Sequence, residues 1–174
     1  MKNLKIGQRL TLSFGAVVAV LIILAAIAYT RLDKLDAAIS VVSNDRYPKT
    51  VNAHIIKDAL NETARNMRNA LLMTDAKQIK GELDTIAQGS ITISAALDRL
   101  DQTIKSEKGR TYVKALTDAR GRFTPLKDKF VALVEQDLRA EAQILLFAEV
   151  RPAQLEYMLA VSYTHLTLPT IYSV

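Results

Sequence analysis

The chain has 174 residues, 49% of them hydrophobic and 6% aromatic, with four Pro, six Gly and neither Cys nor Trp. Such a composition is neither collagen-like nor disordered, and the lack of Cys excludes a disulfide scaffold, a thiolate zinc site, a Cys nucleophile and covalent c-type haem. The formal charge of +5 is not a nucleic-acid footprint: Lys2, Lys5 and Arg9 carry +3, residues 30–160 interleave 20 basic with 18 acidic side chains, and residues 161–174 carry no charge, whereas phosphate binding needs clustered cations.

Residues 10–29, LTLSFGAVVAVLIILAAIAY, form an uncharged run of twenty. As a helix rising about 1.5 Å per residue, such a run crosses a hydrocarbon core of about 30 Å. A cleaved signal peptide is the competing reading, since Ala26-Ile27-Ala28 has a small-x-small pattern. An uncleaved anchor is favoured, because the run exceeds an h-region of about 7 to 15 residues and helical spacing continues through Leu32, Leu35 and Ile39 without Pro or Gly. Three cations precede the run, and Arg31, Asp33, Lys34 and Asp36 balance just after it. The positive-inside rule then predicts a cytoplasmic N-terminus over residues 1–9, a single membrane pass at 10–29, and a domain at 30–160 on the far side of the inner membrane.

The far-side residues read as helices with narrow apolar seams. Leu32, Leu35, Ile39 and Val42 open the first seam, which resumes at Ala53, Ile56, Leu60, Thr63, Met67 and Ala70. Pro48 predicts a kink or short break near residues 45–49. Ile79, Leu83, Ile86, Ser90, Ile93, Leu97, Leu100 and Ile104 step alternately by four and three, the spacing of an a/d seam. Tyr112, Leu116, Ala119, Phe123, Leu126, Phe130 and Leu133 form a third such seam, and Leu145, Ala148, Pro152, Leu155 and Leu159 suggest a fourth. Thr74-Asp75 offers an N-cap, residues 106–109 a turn, and residues 135–141 a connection with no Gly or Pro. Helices with one apolar stripe bury it against each other, so the expected fold is all-α: a transmembrane helix continuing into an up-and-down antiparallel four-helix bundle.

Residues 161–174, VSYTHLTLPTIYSV, are uncharged, with six β-branched positions. They break with the preceding vocabulary and resemble a translated sequencing-adaptor read, the alternative being an edge strand or hairpin. A non-native tail implies a fourth helix cut short near Ala160. The remnant would then expose seam residues such as Leu116 and Phe123 and be marginally stable.

The opening residues 1–32, the DRYPKT element, ETARNMRNALL, FTPLKDKFVALVEQ and AEVRPAQLEYM, in that order, resemble the N-terminal part of bacterial methyl-accepting chemotaxis proteins, over residues 1 to about 160. The resemblance implies a periplasmic four-helix-bundle sensor, present here without the cytoplasmic output half. A histidine kinase's sensor, or an anchored or secreted helical carrier without signalling output, would share the anchor and bundle.

No catalytic motif occurs: the two histidines are His54 and His165, and paired carboxylates such as Asp98 with Asp101, or Asp33 with Asp36, lie among Arg and Lys on solvated faces. No enzyme, cofactor or metal site is expected. If Leu60, Thr63, Met67 and Ala70 face the core, Asn61, Arg65 and Arg68 share the opposite side of their helix. A homodimer meeting along its first helices would enclose them in a cationic crevice suited to a small carboxylate, an organic acid or amino acid, because guanidinium binds carboxylate bidentately. The resemblance also implies that arginines in this stretch hold ligand carboxylates.

Overall fold

The structure, a computed structural model, describes residues 6–167. The chain divides into two units, one ending at Asp45 and one beginning at Arg46.

The first unit is helix α1, Ile6–Val41, followed by a π-helical turn, Val42–Arg46. Every side chain from Leu10 to Tyr29 is exposed, and within this stretch begins an 18-residue window whose mean hydropathy reaches 2.7. So continuous an apolar surface is not tolerated in water, and α1 is long and apolar enough to cross a membrane. Leu32, Leu35, Ile39 and Val42, read in sequence as the start of the bundle seam, are also exposed, so the buried seam begins only beyond them.

The second unit is the bundle. Its helices are α2 (Tyr47–Leu72), α3 (Ala76–Thr103), α4 (Glu107–Glu135) and a fourth rod made of α5 (Arg139–Leu145), a π-helical turn (Leu146–Val150) and α6 (Arg151–Thr167). α2 packs chiefly on α3, α4 on α6, and α2 on α6, while α3 and α4 approach each other less closely. The α2 seam is buried at all six positions from Ala53 to Ala70, and Leu83, Ile86, Ile93, Leu97, Leu100 and Ile104 are buried opposite it. Leu116 and Phe123 are buried as well, contrary to the expected remnant, because the fourth rod reaches them and Tyr157 stacks at an angle on Phe123 with ring centroids 6.2 Å apart. α6 passes Ala160 without interruption, and Val161 is in the core. Residues 161–167 are thus helical rather than a strand; residues 168–174 lie outside those described.

None of the three prolines within the described helices breaks its rod: Pro125 sits inside α4 without a widened turn, while the other two follow π turns. Each π turn ends two residues before a proline, Val42–Arg46 before Pro48 and Leu146–Val150 before Pro152. A proline has no N–H to offer the carbonyl four residues back, and its ring crowds that carbonyl. Widening the preceding turn relieves the crowding and keeps the helix running. Along the fourth rod the buried face is not the expected one. Leu145 is buried as expected, but Ala148, Pro152, Leu155 and Leu159 point outward, and the core instead takes Leu146, Val150, Tyr157 and Val161.

The connections are tight. Asp75 accepts from the Gln78 amide at 2.9 Å and Ser106 from the Gly109 amide at 3.2 Å, capping α3 and α4. A Cβ at Gly109 would run into the Ile104 side chain, so this approach requires glycine. The third connection turns on Asp137, whose φ of 58° is the left-handed value usually given to Gly. Its amide bonds the Val134 carbonyl at 3.1 Å, and the Leu138 amide bonds the Leu133 carbonyl at 2.9 Å, a Schellman closure. Arg139 then donates to the Met73 carbonyl, tying this turn to the end of α2.

Between α3 and α4 the contact is polar. Lys127, buried on α4, donates to Ser90 Oγ at 2.9 Å, and Arg120 donates to Ser94 Oγ. Ser90, the one polar position of the α3 seam, therefore receives the buried ammonium of its neighbour. The Tyr157 hydroxyl is buried with no hydrogen-bond partner among the described residues. Burial pushes its pKa up to about 12, against a smaller opposing effect of the Arg120 charge.

Asp137→Gly should raise the unfolding free energy by about 0.5 to 1 kcal/mol, and Asp137→Val should lower it by about 1 to 2, as read by urea denaturation. The neutral Tyr157 phenol is favoured by the fold, so its contribution is complete below pH 10 and is lost as pH rises from 10 through about 12. Tyr157→Phe should lack that alkaline loss and leave neutral-pH stability unchanged or up to about 1 kcal/mol higher, whereas Tyr157→Ala should cost about 3 to 5 kcal/mol.

Candidate functional site

The outward side of α2 is polar because its inward positions are committed to the core. Asn61, Arg65 and Arg68 all lie on that side and are exposed. They do not share one crevice. Helix α2 has a neighbour on each flank, and the three residues divide between the two resulting grooves.

Asn61 and Arg65 line the groove between α2 and α3, an open depression of about 540 Å³ with Asp58, Glu62, Thr85 and Gln88 among its walls. Its floor includes Ala59 and Gly89, and Gly89 lets the helices approach: a Cβ there would sit 3.0 Å from Thr63 Oγ1. Arg65 is already paired, its guanidinium 3.2 Å from Glu62 Oε1, with both side chains about half exposed or more. Such a surface pair is worth no more than about 1 kcal/mol. With two carboxylates and one paired cation, this groove has little attraction for an anion.

Arg68 faces the other way. It lines a smaller groove of about 240 Å³ between α2 and the fourth rod, together with Ala64, Leu146, Phe147, Arg151 and Gln154. Neither the Arg68 nor the Arg151 guanidinium has an ion pair or hydrogen bond among the described residues, and no carboxylate lines the groove. Two guanidiniums, one amide and an apolar wall make a site that can take a carboxylate bidentately and shelter a short carbon skeleton. A ligand ammonium would find no acidic partner there.

Arg151 and Gln154 were not singled out from sequence. Their motif, AEVRPAQLEYM, is visible, but placing Arg151 beside Arg68 requires the register of the fourth rod against α2, which the residues alone do not give. The remaining candidates are structural. His54 is exposed on α2, and Asp101 pairs with Arg110 at 2.8 Å. Among the described residues no group of three or more His, Asp or Glu side chains is placed to hold a metal ion.

A helical bundle with a groove between its first and fourth members, in a chain that also carries a helix apolar enough to span a bilayer, has the features of a sensory module. The family model for the four-helix-bundle sensory module for signal transduction matches residues 3–162, and the chain belongs to that family. No curated protein matches the chain. The resemblance to the sensor part of methyl-accepting chemotaxis proteins and the expected all-α four-helix bundle are both borne out.

Proposed function

We propose that this chain is the sensory input region of a transmembrane chemoreceptor, and that it binds a small organic acid in the groove between α2 and the fourth rod. In this reading α1 anchors the chain in the inner membrane with its N-terminus in the cytoplasm, the bundle samples the periplasm, and no step of catalysis is involved. The observation that carries the ligand assignment is the pair of unpaired guanidiniums, Arg68 and Arg151, lining one groove without a carboxylate. The absence of an acidic partner for an ammonium favours an organic acid over an amino acid.

Magnitudes set what the rest of the groove must supply. A charge-assisted hydrogen bond contributes about 1.5 to 3 kcal/mol net, and micromolar binding needs about 8 kcal/mol. Two arginines bonding one carboxylate approach that value only with help, which Gln154 and the apolar surface of Leu146 and Phe147 provide. A ligand held jointly by α2 and the fourth rod favours whichever arrangement of those two helices brings the guanidiniums together. The difference in affinity between arrangements sets how far their equilibrium moves.

Calorimetric titration of the full chain in detergent with acetate, succinate, citrate and aspartate tests the assignment. At least one of the organic acids should bind, and Arg68→Ala and Arg151→Ala should each weaken it tenfold or more, while Arg65→Ala changes it less than twofold. Loss of binding in the Arg65 variant alone, or in none of the three, would overturn the assignment.

A further inference from the structure

The interface between α3 and α4 holds more positive charge than its own residues balance. Arg120 and Lys127, on one face of α4, reach across to Ser94 and Ser90, one turn apart on α3. Both serine protons are already committed, since Ser94 Oγ donates to the Ser90 carbonyl at 2.8 Å and Ser90 Oγ to the Ile86 carbonyl at 3.3 Å. The serines therefore only accept, and they give the two cations neutral oxygens but no countercharge. Lys127, whose side chain is 10% exposed, also meets Asp128 Oδ1 at 2.7 Å. Arg120 is half-buried and has no ion pair among the described residues. One positive charge is left uncompensated.

The Tyr157 hydroxyl is the second unsatisfied group. It is a donor without an acceptor on a residue that is 1% exposed. Its ring lies against Phe123, one turn along α4 from Arg120, and the Arg120 charge acts on the hydroxyl, opposing the upward effect of burial on its pKa. A buried donor without a partner and a half-buried charge without a counterion are both costly. A water molecule would satisfy the hydroxyl and leave the charge. An anion answers both, accepting from the phenol O–H and from the guanidinium N–H groups that Ser94 does not use. We propose that a single chloride-sized anion binds inside the bundle between the Arg120 guanidinium and the Tyr157 hydroxyl, tying α4 to the fourth rod. The net charge of one suits a monovalent ion, and the packing of Tyr157 on Phe123 suits a monatomic one. None of these residues lines the groove of Arg68 and Arg151, and the anion site does not depend on a ligand there.

Thermal unfolding of the full chain in nonionic detergent, followed by circular dichroism, tests the site when sodium chloride is compared with sodium gluconate at equal ionic strength. With a chloride affinity of about 10 mM, the midpoint should lie about 5 °C higher in about 0.2 M chloride than in gluconate. Arg120→Gln keeps a donor for Ser94 and removes the charge; Tyr157→Phe removes only the unpartnered hydroxyl and in gluconate should be at least as stable as the parent chain. Each should lose at least half of the chloride shift, while the double variant Arg68→Ala, Arg151→Ala keeps it. Because Tyr157→Phe retains the packing of the ring, its result stands even if Arg120→Gln fails to fold. Equal midpoints of the parent chain in the two salts, a full shift in either folded single variant, or a shift lost with Arg68 and Arg151 would overturn the proposal.

Discussion

The bundle depends on the burial of one apolar stripe on α2, from Ala53 to Ala70, whose six positions are all at or below 2% exposure. No single neighbour can cover a stripe on a cylinder so completely. α3 closes one flank and the fourth rod the other, and α4 completes the layer behind them. Truncating a residue such as Leu60 or Met67 would remove contacts to several helices at once, the situation in which large-to-small changes cost about 2 to 5 kcal/mol. The same commitment leaves the other side of α2 with nothing to bury, which is why its polar residues are available for recognition and why they fall into two grooves rather than one.

The second governing feature is the pair of π turns ahead of Pro48 and Pro152. At both sites the helix rewinds locally and runs on, whereas Pro125 is accommodated inside α4 without a widened turn. At Pro152 the rewinding has functional weight. Around it Val150, Tyr157 and Val161 face inward, Leu155 and Leu159 face outward, and Arg151 and Gln154 stand beside Arg68. The same stretch of the fourth rod therefore supplies both core side chains and the wall of the proposed ligand groove. By contrast, the α3–α4 contact rests on Lys127 and Arg120 reaching serine hydroxyls. The bundle is accordingly apolar on the sides of α2 and more polar across from it.

Much of this architecture was legible in the residues. The seams of α2, α3 and α4 follow the three-four spacing closely enough that nearly every expected position is buried or half-buried, and the caps at Asp75 and Ser106 sit where the turn chemistry put them. The connection after α4 was located but not explained, since Asp137 takes the left-handed conformation for which Gly is the usual signal. The fourth seam was misassigned because two sets of positions share the three-four spacing: Ala148, Leu155 and Leu159 belong to the outside, and Leu146, Val150, Tyr157 and Val161 belong to the core. The site was half legible for the same reason. Arg65 and Arg68 differ by three positions and seem equivalent on a helical wheel, yet the flanking helices give one a glutamate partner and the other an arginine.

The proposed recognition site lies between α2 and the fourth rod. Amide hydrogen exchange of the full chain in lipid nanodiscs, with and without saturating succinate, measures this directly, because a ligand bridging two helices slows local opening in both. The account predicts added protection in peptides covering residues 64–72 and 146–154 and little change across residues 85–92 of α3. Protection confined to the α2–α3 groove, or none at any concentration of the acid, would contradict it.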